Sequence, residues 1–312
     1  MHNPFFSIIT VTYNSSQYVR EAIGSVLASS FTDFELIIGD DCSTDNTWEI
    51  IQEYDDSRIS KYRNETNFRE YPNRNKALGL AKGEWVLFID GDDLIYPHAL
   101  SFIASMIEKS NDVGMLLMRW YRNNMIYPIL ISPRDFYLEK YFGEGFLSTA
   151  FTNVVFNRKV LLDNGGIPVG YSFGDDVVRL QLALSCKMMI ISDQLTFWRE
   201  TPSQAFQVKN KLLSSYLEQK NVAFRFLKKA YDLDLINKHE YNYAKHQLTK
   251  RIIIDSVKLF LKFKFKRSVL ILLNYFREFE FKKTGLKIVL PFEQFTPSNL
   301  LDFDKSNQRL KI

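Results

Sequence analysis

The chain opens on a β-branched apolar run, Phe6 to Tyr13, and continues over Gln17 to Ala28 with Val19, Ala22, Ile23, Val26 and Leu27 at helical spacing. The first pattern predicts a buried strand and the second an amphipathic helix. The alternation then repeats. Phe34 to Gly39 reads as a short buried strand, and Ser43-Thr44-Asp45-Asn46 offers N-cap side chains to a helix through Trp48, Ile51 and Tyr54. Ile59 to Arg63 is a third strand. Asn73 to Lys82 is a helix closed by Gly83, and Trp85 to Ile89 is a fourth strand running into Asp90-Gly91-Asp92-Asp93. Alternating strands and helices predict an α/β fold with a parallel sheet covered on both faces. Ligands of such sheets bind beyond the carboxyl ends of the strands, and the polar groups Tyr13-Asn14, Asp40-Asp41 and Asp90 to Asp93 all fall there.

From about residue 94 the pattern is mixed. It predicts a helix over Leu100 to Lys109, strands over Val113 to Arg119 and Met125 to Ile131, and a further segment over Phe151 to Phe156. Asn164-Gly165-Gly166-Ile167-Pro168 is a turn, and Asp175 to Lys187 is a helix with Val178, Leu180, Leu182 and Leu184 as its apolar positions. Beyond Pro202, Gly and Pro almost vanish until Gly285, so residues 209–283 read as several helices and 284–312 as an irregular tail.

At 312 residues, 46% of them hydrophobic and 24% charged, the composition is that of a globular chain and excludes fibrous or wholly disordered classes. Cys42 and Cys186 lie far apart with no CxxC pair, which supports neither a disulfide framework nor a cysteine zinc site and fits a reducing compartment. The N-terminus lacks a secretory pattern and no apolar run is long enough to span a bilayer, so a cytoplasmic protein is expected. The net charge of +4 hides an asymmetry: residues 1–100 hold 8 Lys/Arg against 16 Asp/Glu, whereas residues 250–290 hold 11 against 3.

Two acidic side chains on one tight turn, Asp90 and Asp92, can hold a hard divalent cation through oxygen. In a net-negative half such a cation is what would let a diphosphate approach. A lone Asp-x-Asp at a strand end is more often a loop former or a helix cap, so the pattern acquires meaning only from its company.

That company is specific. The segments FSIITVTYN (6–14), FELIIGDDCSTDNT (34–47), RNKALGLAKGEWVLFIDGDD (74–93) and DNGGIPVGYSFGDD (163–176) resemble, in order and spacing, the inverting glycosyltransferases of family 2. The resemblance covers about residues 5–205. It implies a GT-A fold, Rossmann-like with a mostly parallel sheet flanked by helices, a nucleoside-diphosphate sugar donor and a divalent cation, Mn or Mg. Carried over by motif, it puts Val11, Tyr13 and Asn14 beside the nucleotide and gives Asp41 a hydrogen bond from the base, with Asp40 shaping the turn. It puts Arg74 near the pyrophosphate, Asp90 and Gly91 at the nucleotide sugar, with Asp90 on the ribose or a metal-bound water, and Asp92 on the metal; Asp93 is expected to cap the following helix.

Inverting transfer is a single displacement in which a carboxylate removes the acceptor proton. In the family this is the Asp of a Glu-Asp pair; here Gly174-Asp175-Asp176 lacks the Glu, and Asp175 and Asp176 both remain candidates for the base. A His that the family often carries after the strand ending Phe197-Trp198-Arg199 is absent from Glu200-Thr201-Pro202-Ser203, and Tyr71-Pro72-Asn73 stands where a small residue commonly precedes Arg-Asn. His2, His98, His239 and His246 lie outside the motifs.

The expected organisation is therefore a GT-A domain over 1–205, with a nucleotide-binding half to about 110 and an acceptor half over 111–205, followed by a basic, aromatic helical extension over 206–312. Lys258 to Arg267 interleaves Lys and Arg with Leu and Phe, a pattern suited to an anionic membrane surface through 250–290 at the inner face of the cell membrane. Packing of the same apolar face on the catalytic domain is the plainer reading. No nucleic-acid module accompanies the basic stretch. The expected activity is sugar transfer to a glycan or polyprenyl-linked acceptor in bacterial surface or capsular polysaccharide synthesis. The alternative is a nucleotide-sugar-binding relative without turnover. A haloacid-dehalogenase-like phosphatase is disfavoured, because its Asp-x-Asp lies near the N-terminus and is followed by Thr or Val where this chain has Leu94.

Overall fold

Strand β1 (Phe6–Thr12) lies at the centre of the nucleotide-binding half because both of its faces are apolar: Phe6 and Ile8 point to one layer of the core and Ile9 to the other. In the computed structural model, which describes residues 3–110, 112–119, 126–143, 149–192, 195–200, 213–261 and 267–271, β1 is flanked by β2 (Phe34–Asp40) and β4 (Trp85–Phe88), both parallel to it. Strand β3 (Ile59–Arg63) extends the parallel set beyond β2. The chain thus runs outward from β1 and returns to its other side, which puts a topological switch point between β1 and β4, where α/β sheets open a ligand crevice.

Helices α1 (Val19–Leu27) and α2 (Thr47–Gln52) cover one face, joined there by α4 (Ala99–Glu108); α3 (Glu70–Leu80) lies on the other face, where its Ala77 and Leu78 are buried with Ile9 and Phe88. The N-cap position of α2 falls on Asn46, whose side chain makes no capping bond; the preceding Asp45 instead accepts the Thr47 N–H on Oδ1 at 3.0 Å. Helix α3 begins at Glu70, three residues before the expected Asn73, because Pro72 falls in its first turn, where a missing N–H costs nothing.

The second half adds β6 (Val113–Arg119), β7 (Ile129–Ile131), β8 (Val154–Asn157) and β9 (Lys187–Ser192), giving an eight-stranded sheet of order β3-β2-β1-β4-β8-β6-β9-β7. Strand β8 is antiparallel to β4 and β6, and β7 is antiparallel to β9. A two-residue strand β5 (Leu94–Ile95) directly after the acidic turn pairs with β10 (Thr196–Phe197) in a separate small sheet. Helix α5 (Pro133–Phe142) has no counterpart in the sequence prediction, and neither has α6 (Arg158–Asp163). Helix α7 (Gly174–Leu182) ends before the expected Lys187, which opens β9.

Helices α8 (Leu213–Asp232) and α9 (Lys238–Leu261) form the described part of the predicted helical stretch. Val222, Phe226, Leu227 and Ala230 of α8 share one apolar cluster with Leu117 and Ile190 of the sheet. Asn237 and Glu240 make a reciprocal capping box at the start of α9, the Glu240 N–H donating to Asn237 Oδ1 at 3.0 Å and the Asn237 N–H to Glu240 Oε2 at 2.8 Å. Arg134 of α5 joins the same carboxylate at 2.6 Å. Residues 272–312, and with them the expected tail and much of the basic stretch, lie outside the described residues, as do Thr201-Pro202-Ser203.

Candidate active site

Three strand ends build the site. At the end of β1, Asn14 takes a left-handed conformation, φ 51°. Its Oδ1 accepts the Thr44 N–H at 2.8 Å, while its own N–H donates to Ser43 Oγ at 2.9 Å, so the loops after β1 and β2 are fastened to each other. Tyr13 stands at the rim, half exposed, and Val11 packs its side chain against the core. Asp40 is buried under its turn and accepts from the Ser43 N–H at 3.1 Å and the Ser43 hydroxyl, which is the shaping role expected of it. Asp41 faces the other way. Its carboxylate accepts from Asn64 Nδ2 at 2.8 Å, the Phe68 N–H at 2.9 Å and the Arg69 N–H at 2.8 Å, so it anchors the segment 64–69 and keeps limited capacity on Oδ2 for a further donor.

The acidic turn follows β4. Gly91 is required there by space: a Cβ would lie 2.6 Å from Thr12 Cγ2. Asp90 accepts from Arg74 Nη2 at 2.7 Å, and Glu70 stands 3.3 Å from the same nitrogen. Arg74 is buried, 1% exposed, with its guanidinium over the rings of Phe151 at 4.6 Å and Phe88 at 5.3 Å. It is not the solvated arginine a surface position would give, and it reaches the site through Asp90.

Asp93 differs from expectation. It does not cap the following helix, whose N-cap is His98; it is buried, receives the Thr152 hydroxyl on Oδ2 and the Arg199 N–H on Oδ1 at 2.9 Å, and burial holds its carboxyl well above the usual range. Arg199 also donates through Nε to the Asp92 carbonyl at 2.8 Å and through Nη2 to Glu21 at 2.7 Å, fastening the acidic turn to α1. Arg199 was not singled out by sequence reasoning. Its position just before the expected histidine is the signal that was available.

Asp92 is a second under-compensated carboxylate of the turn. Burial, with the Asp90 charge adding to it, pushes its carboxyl up to about 6 against the opposing pull of Arg199 and Arg74. Asp90 Oδ1 is buried with no hydrogen-bond partner. An unpartnered carboxylate oxygen beside an under-compensated carboxylate fits a hard divalent cation. Among the described residues no group of three or more His, Cys, Asp or Glu could hold a metal by itself, so a ligand's oxygens and water would complete the coordination.

The two candidate bases sit in the first turn of α7 and have different surroundings. Asp176 is 2.5 Å from Arg179, a buried side chain that also donates to the Thr149 carbonyl at 2.6 Å. Burial opposes ionisation of Asp176, but Arg179 outweighs it and the carboxyl is held below the usual range. Asp175 lies 4.0 Å from Arg179. Burial, with Asp176 and Glu70 as like charges, holds its carboxyl above the usual range. Asp176 is thus bound into the fold, whereas Asp175 is a more basic carboxylate.

An eight-stranded, mostly parallel sheet of this order flanked by helices is the GT-A architecture of nucleotide-sugar glycosyltransferases. The chain belongs to glycosyl transferase family 2, whose model matches residues 7–163. It is 38% identical over 120 residues to the poly(ribitol-phosphate) beta-N-acetylglucosaminyltransferase TarS of Staphylococcus aureus, covering 36% of this chain and 21% of that protein. It is 33% identical over 160 residues to the GalNAc(5)-diNAcBac-PP-undecaprenol beta-1,3-glucosyltransferase of Campylobacter jejuni, covering 46% and 50%. The matched regions thus span at most half the length of these two relatives. Among solved structures, S. aureus TarS 1-349 in complex with UDP superposes with TM-score 0.57 at 21% identity, covering 85% of this chain and 88% of that one. Mannosyltransferase PcManGT of Pyrobaculum calidifontis, in complex with GDP-Man and Mn2+, superposes with TM-score 0.53 at 16% identity, covering 82% and 76%.

Proposed function

We propose that this chain is an inverting glycosyltransferase that uses a nucleoside-diphosphate sugar and a divalent cation, and that Asp175 is its base. The observation that carries the reading is the contrast between Asp175, basic and loosely paired, and Asp176, locked on Arg179. In the proposed reaction the acceptor hydroxyl attacks the anomeric carbon and gives its proton to the Asp175 carboxylate, and the diphosphate leaves. Asp92, with Asp90 beside it, would hold Mn or Mg, which when bound supplies positive charge for the leaving diphosphate. Arg74 fixes Asp90 from below, and Arg199 fixes the Asp92 backbone.

Tyr13, Asn14, Val11 and Asp41 form the proposed nucleotide pocket. Uridine is the proposed nucleoside of the donor, by likeness to TarS, whose structures hold UDP and UDP-GlcNAc. A lipid-linked or glycan acceptor of a bacterial surface polysaccharide is proposed from the two relatives above. No described helix is long and apolar enough to cross a membrane. Ile254 and Val257 of α9 are exposed between Lys250, Arg251 and Lys258, which supports peripheral contact with an anionic bilayer. The division into a GT-A domain over 1–205 and an extension over 206–312 is likewise proposed, with α8 packed onto the sheet.

The test is a thermal-shift screen of UDP, GDP and their sugars with and without manganese, followed by diphosphate release. A ligand at 100 times its dissociation constant adds about 2.7 kcal/mol to stability. A shift that needs manganese, with release of UDP, supports the reading. Binding without release points instead to a non-turnover relative.

A further inference from the structure

The loop in front of Asp175 is held from two sides. On one side the Gly174 N–H donates to Tyr71 Oη at 2.9 Å, and the ring lies so close that a Cβ on Gly174 would be 2.8 Å from it. On the other side α8 supplies three contacts. The Ser172 N–H donates to Glu218 Oε1 at 2.8 Å, Ser215 Oγ donates to Ser172 Oγ at 3.2 Å, and Arg225 Nη2 donates to Tyr171 Oη at 2.8 Å. Helix α8 is itself fixed, by its apolar residues in the core and by Tyr141 Oη, which donates to the Ala223 carbonyl at 2.6 Å.

The loop needs such holding. Gly170 at its N-terminal end takes a left-handed conformation, φ +83°, and a Cβ built on it would meet nothing within 4 Å, so no packing at that position holds the loop. Only Phe173 and Gly174 lie between Ser172 and Asp175, so the direction in which α7 presents that carboxylate follows the position of 172–174. A displacement of about 1 Å at a reacting group can cost about 100-fold in rate. A carboxylate accepting a backbone N–H is a charge-assisted bond, stronger than a neutral one, and it comes from a helix beyond the residues that the family model matches.

We infer that Glu218 of α8 is a positioning residue for Asp175: it fixes the 171–174 loop against Tyr71, so that the C-terminal helices set the direction in which the base is presented. The inference rests on the reading of Asp175 as the base.

The full-length chain is assayed for UDP release from UDP-GlcNAc, UDP-glucose and UDP-galactose with manganese, as wild type, Glu218→Ala, Glu218→Gln, Tyr71→Phe, Asp175→Asn and the Glu218→Ala/Asp175→Asn double variant. Glu218→Ala is expected to lower kcat by about 10- to 100-fold while KM for the UDP-sugar stays within about twofold. Glu218→Gln, whose amide oxygen still accepts the Ser172 N–H, restores most of kcat. Tyr71→Phe, which removes the opposite latch, shows the same loss in kcat alone and keeps the test independent of whether Glu218→Ala folds. In the Asp175→Asn background Glu218→Ala produces no further loss. Wild-type kcat in a folded Glu218→Ala, or in Tyr71→Phe where Glu218→Ala does not fold, a loss confined to KM, or a full additional loss in the double variant overturns the positioning role. Undiminished activity of Asp175→Asn alone overturns the assignment of the base instead.

Discussion

Replacing each member of the Asp175-Asp176 pair by asparagine should give opposite phenotypes, although the residues are neighbours on one helical turn. Asp175 is raised above the usual carboxylate range, so the fold prefers its protonated form, and stability is lost as the pH rises from the unfolded value through the folded one. Asp175→Asn therefore leaves stability at neutral pH unchanged or slightly raised. It removes the proposed base, whose contribution to kcat is about 10²- to 10⁴-fold. Asp176→Asn takes the charge from in front of Arg179, whose side chain is 3% exposed. Breaking a wholly buried pair costs about 3–5 kcal/mol. Asp176 is 28% exposed and asparagine keeps an oxygen for Arg179, so about 1–3 kcal/mol is expected. At about 2 °C per kcal/mol, that lowers Tm by about 2–6 °C, with kcat reduced far less than in Asp175→Asn. Differential scanning fluorimetry and UDP release on the same preparations measure both quantities. Equal kinetic losses in the two variants, or a Tm drop in Asp175→Asn as large as in Asp176→Asn, would refute the division of roles.

The acid limb of kcat/KM should lie at a pH above the usual carboxylate value of about 4, because burial favours protonated Asp175, and activity should fall as the pH drops through that limb; a rate profile over the acid range checks this. Gly91→Ala should lose about 1–3 kcal/mol from the contact of its new methyl with Thr12 Cγ2, and Thr12→Ser, which deletes that methyl but keeps the hydroxyl, should recover part of the lost Tm. Ile254→Ser/Val257→Ser should reduce co-sedimentation with anionic liposomes while leaving UDP-induced thermal shifts intact; unchanged sedimentation would rule out α9 as the contact surface.

Strands β1, β2 and β4 were legible because parallel strands buried on both faces appear as continuous apolar runs, each ending in a polar cluster, whereas β3 is a short, largely exposed edge strand. Helix α5 was missed because its residues, Pro133-Arg134-Asp135-Phe136-Tyr137-Leu138-Glu139-Lys140, show little amphipathic contrast. Its start is nonetheless written in the sequence: Ser132 Oγ accepts the Asp135 N–H at 3.1 Å and Pro133 occupies the first helical position. The polar residues at the strand ends were likewise readable, but their tasks were not. Asp93 looked like a cap because its partners, Thr152 and Arg199, lie 59 and 106 residues away. The difference between Asp175 and Asp176 depends on the Arg179 rotamer and on the Thr149 carbonyl, neither of which a motif records. Arg74 read as a phosphate ligand, and only packing against Phe88 and Phe151 places it beneath Asp90.

The hold of Arg199 on the acidic turn has a consequence for the order in which the protein matures. Domains assemble as the chain emerges, N-terminal residues first. By residue 163, the last that the family model matches, β1 to β4 and β8 have all been made and the acidic turn is in place. At that stage the turn still lacks Arg199, the proposed base Asp175 has not been synthesised, and α8, whose Glu218 accepts the Ser172 N–H, lies some fifty residues further on. A nascent chain can therefore carry all the residues that the family model matches before the contacts of Arg199 and of α8 with the earlier part of the fold can form.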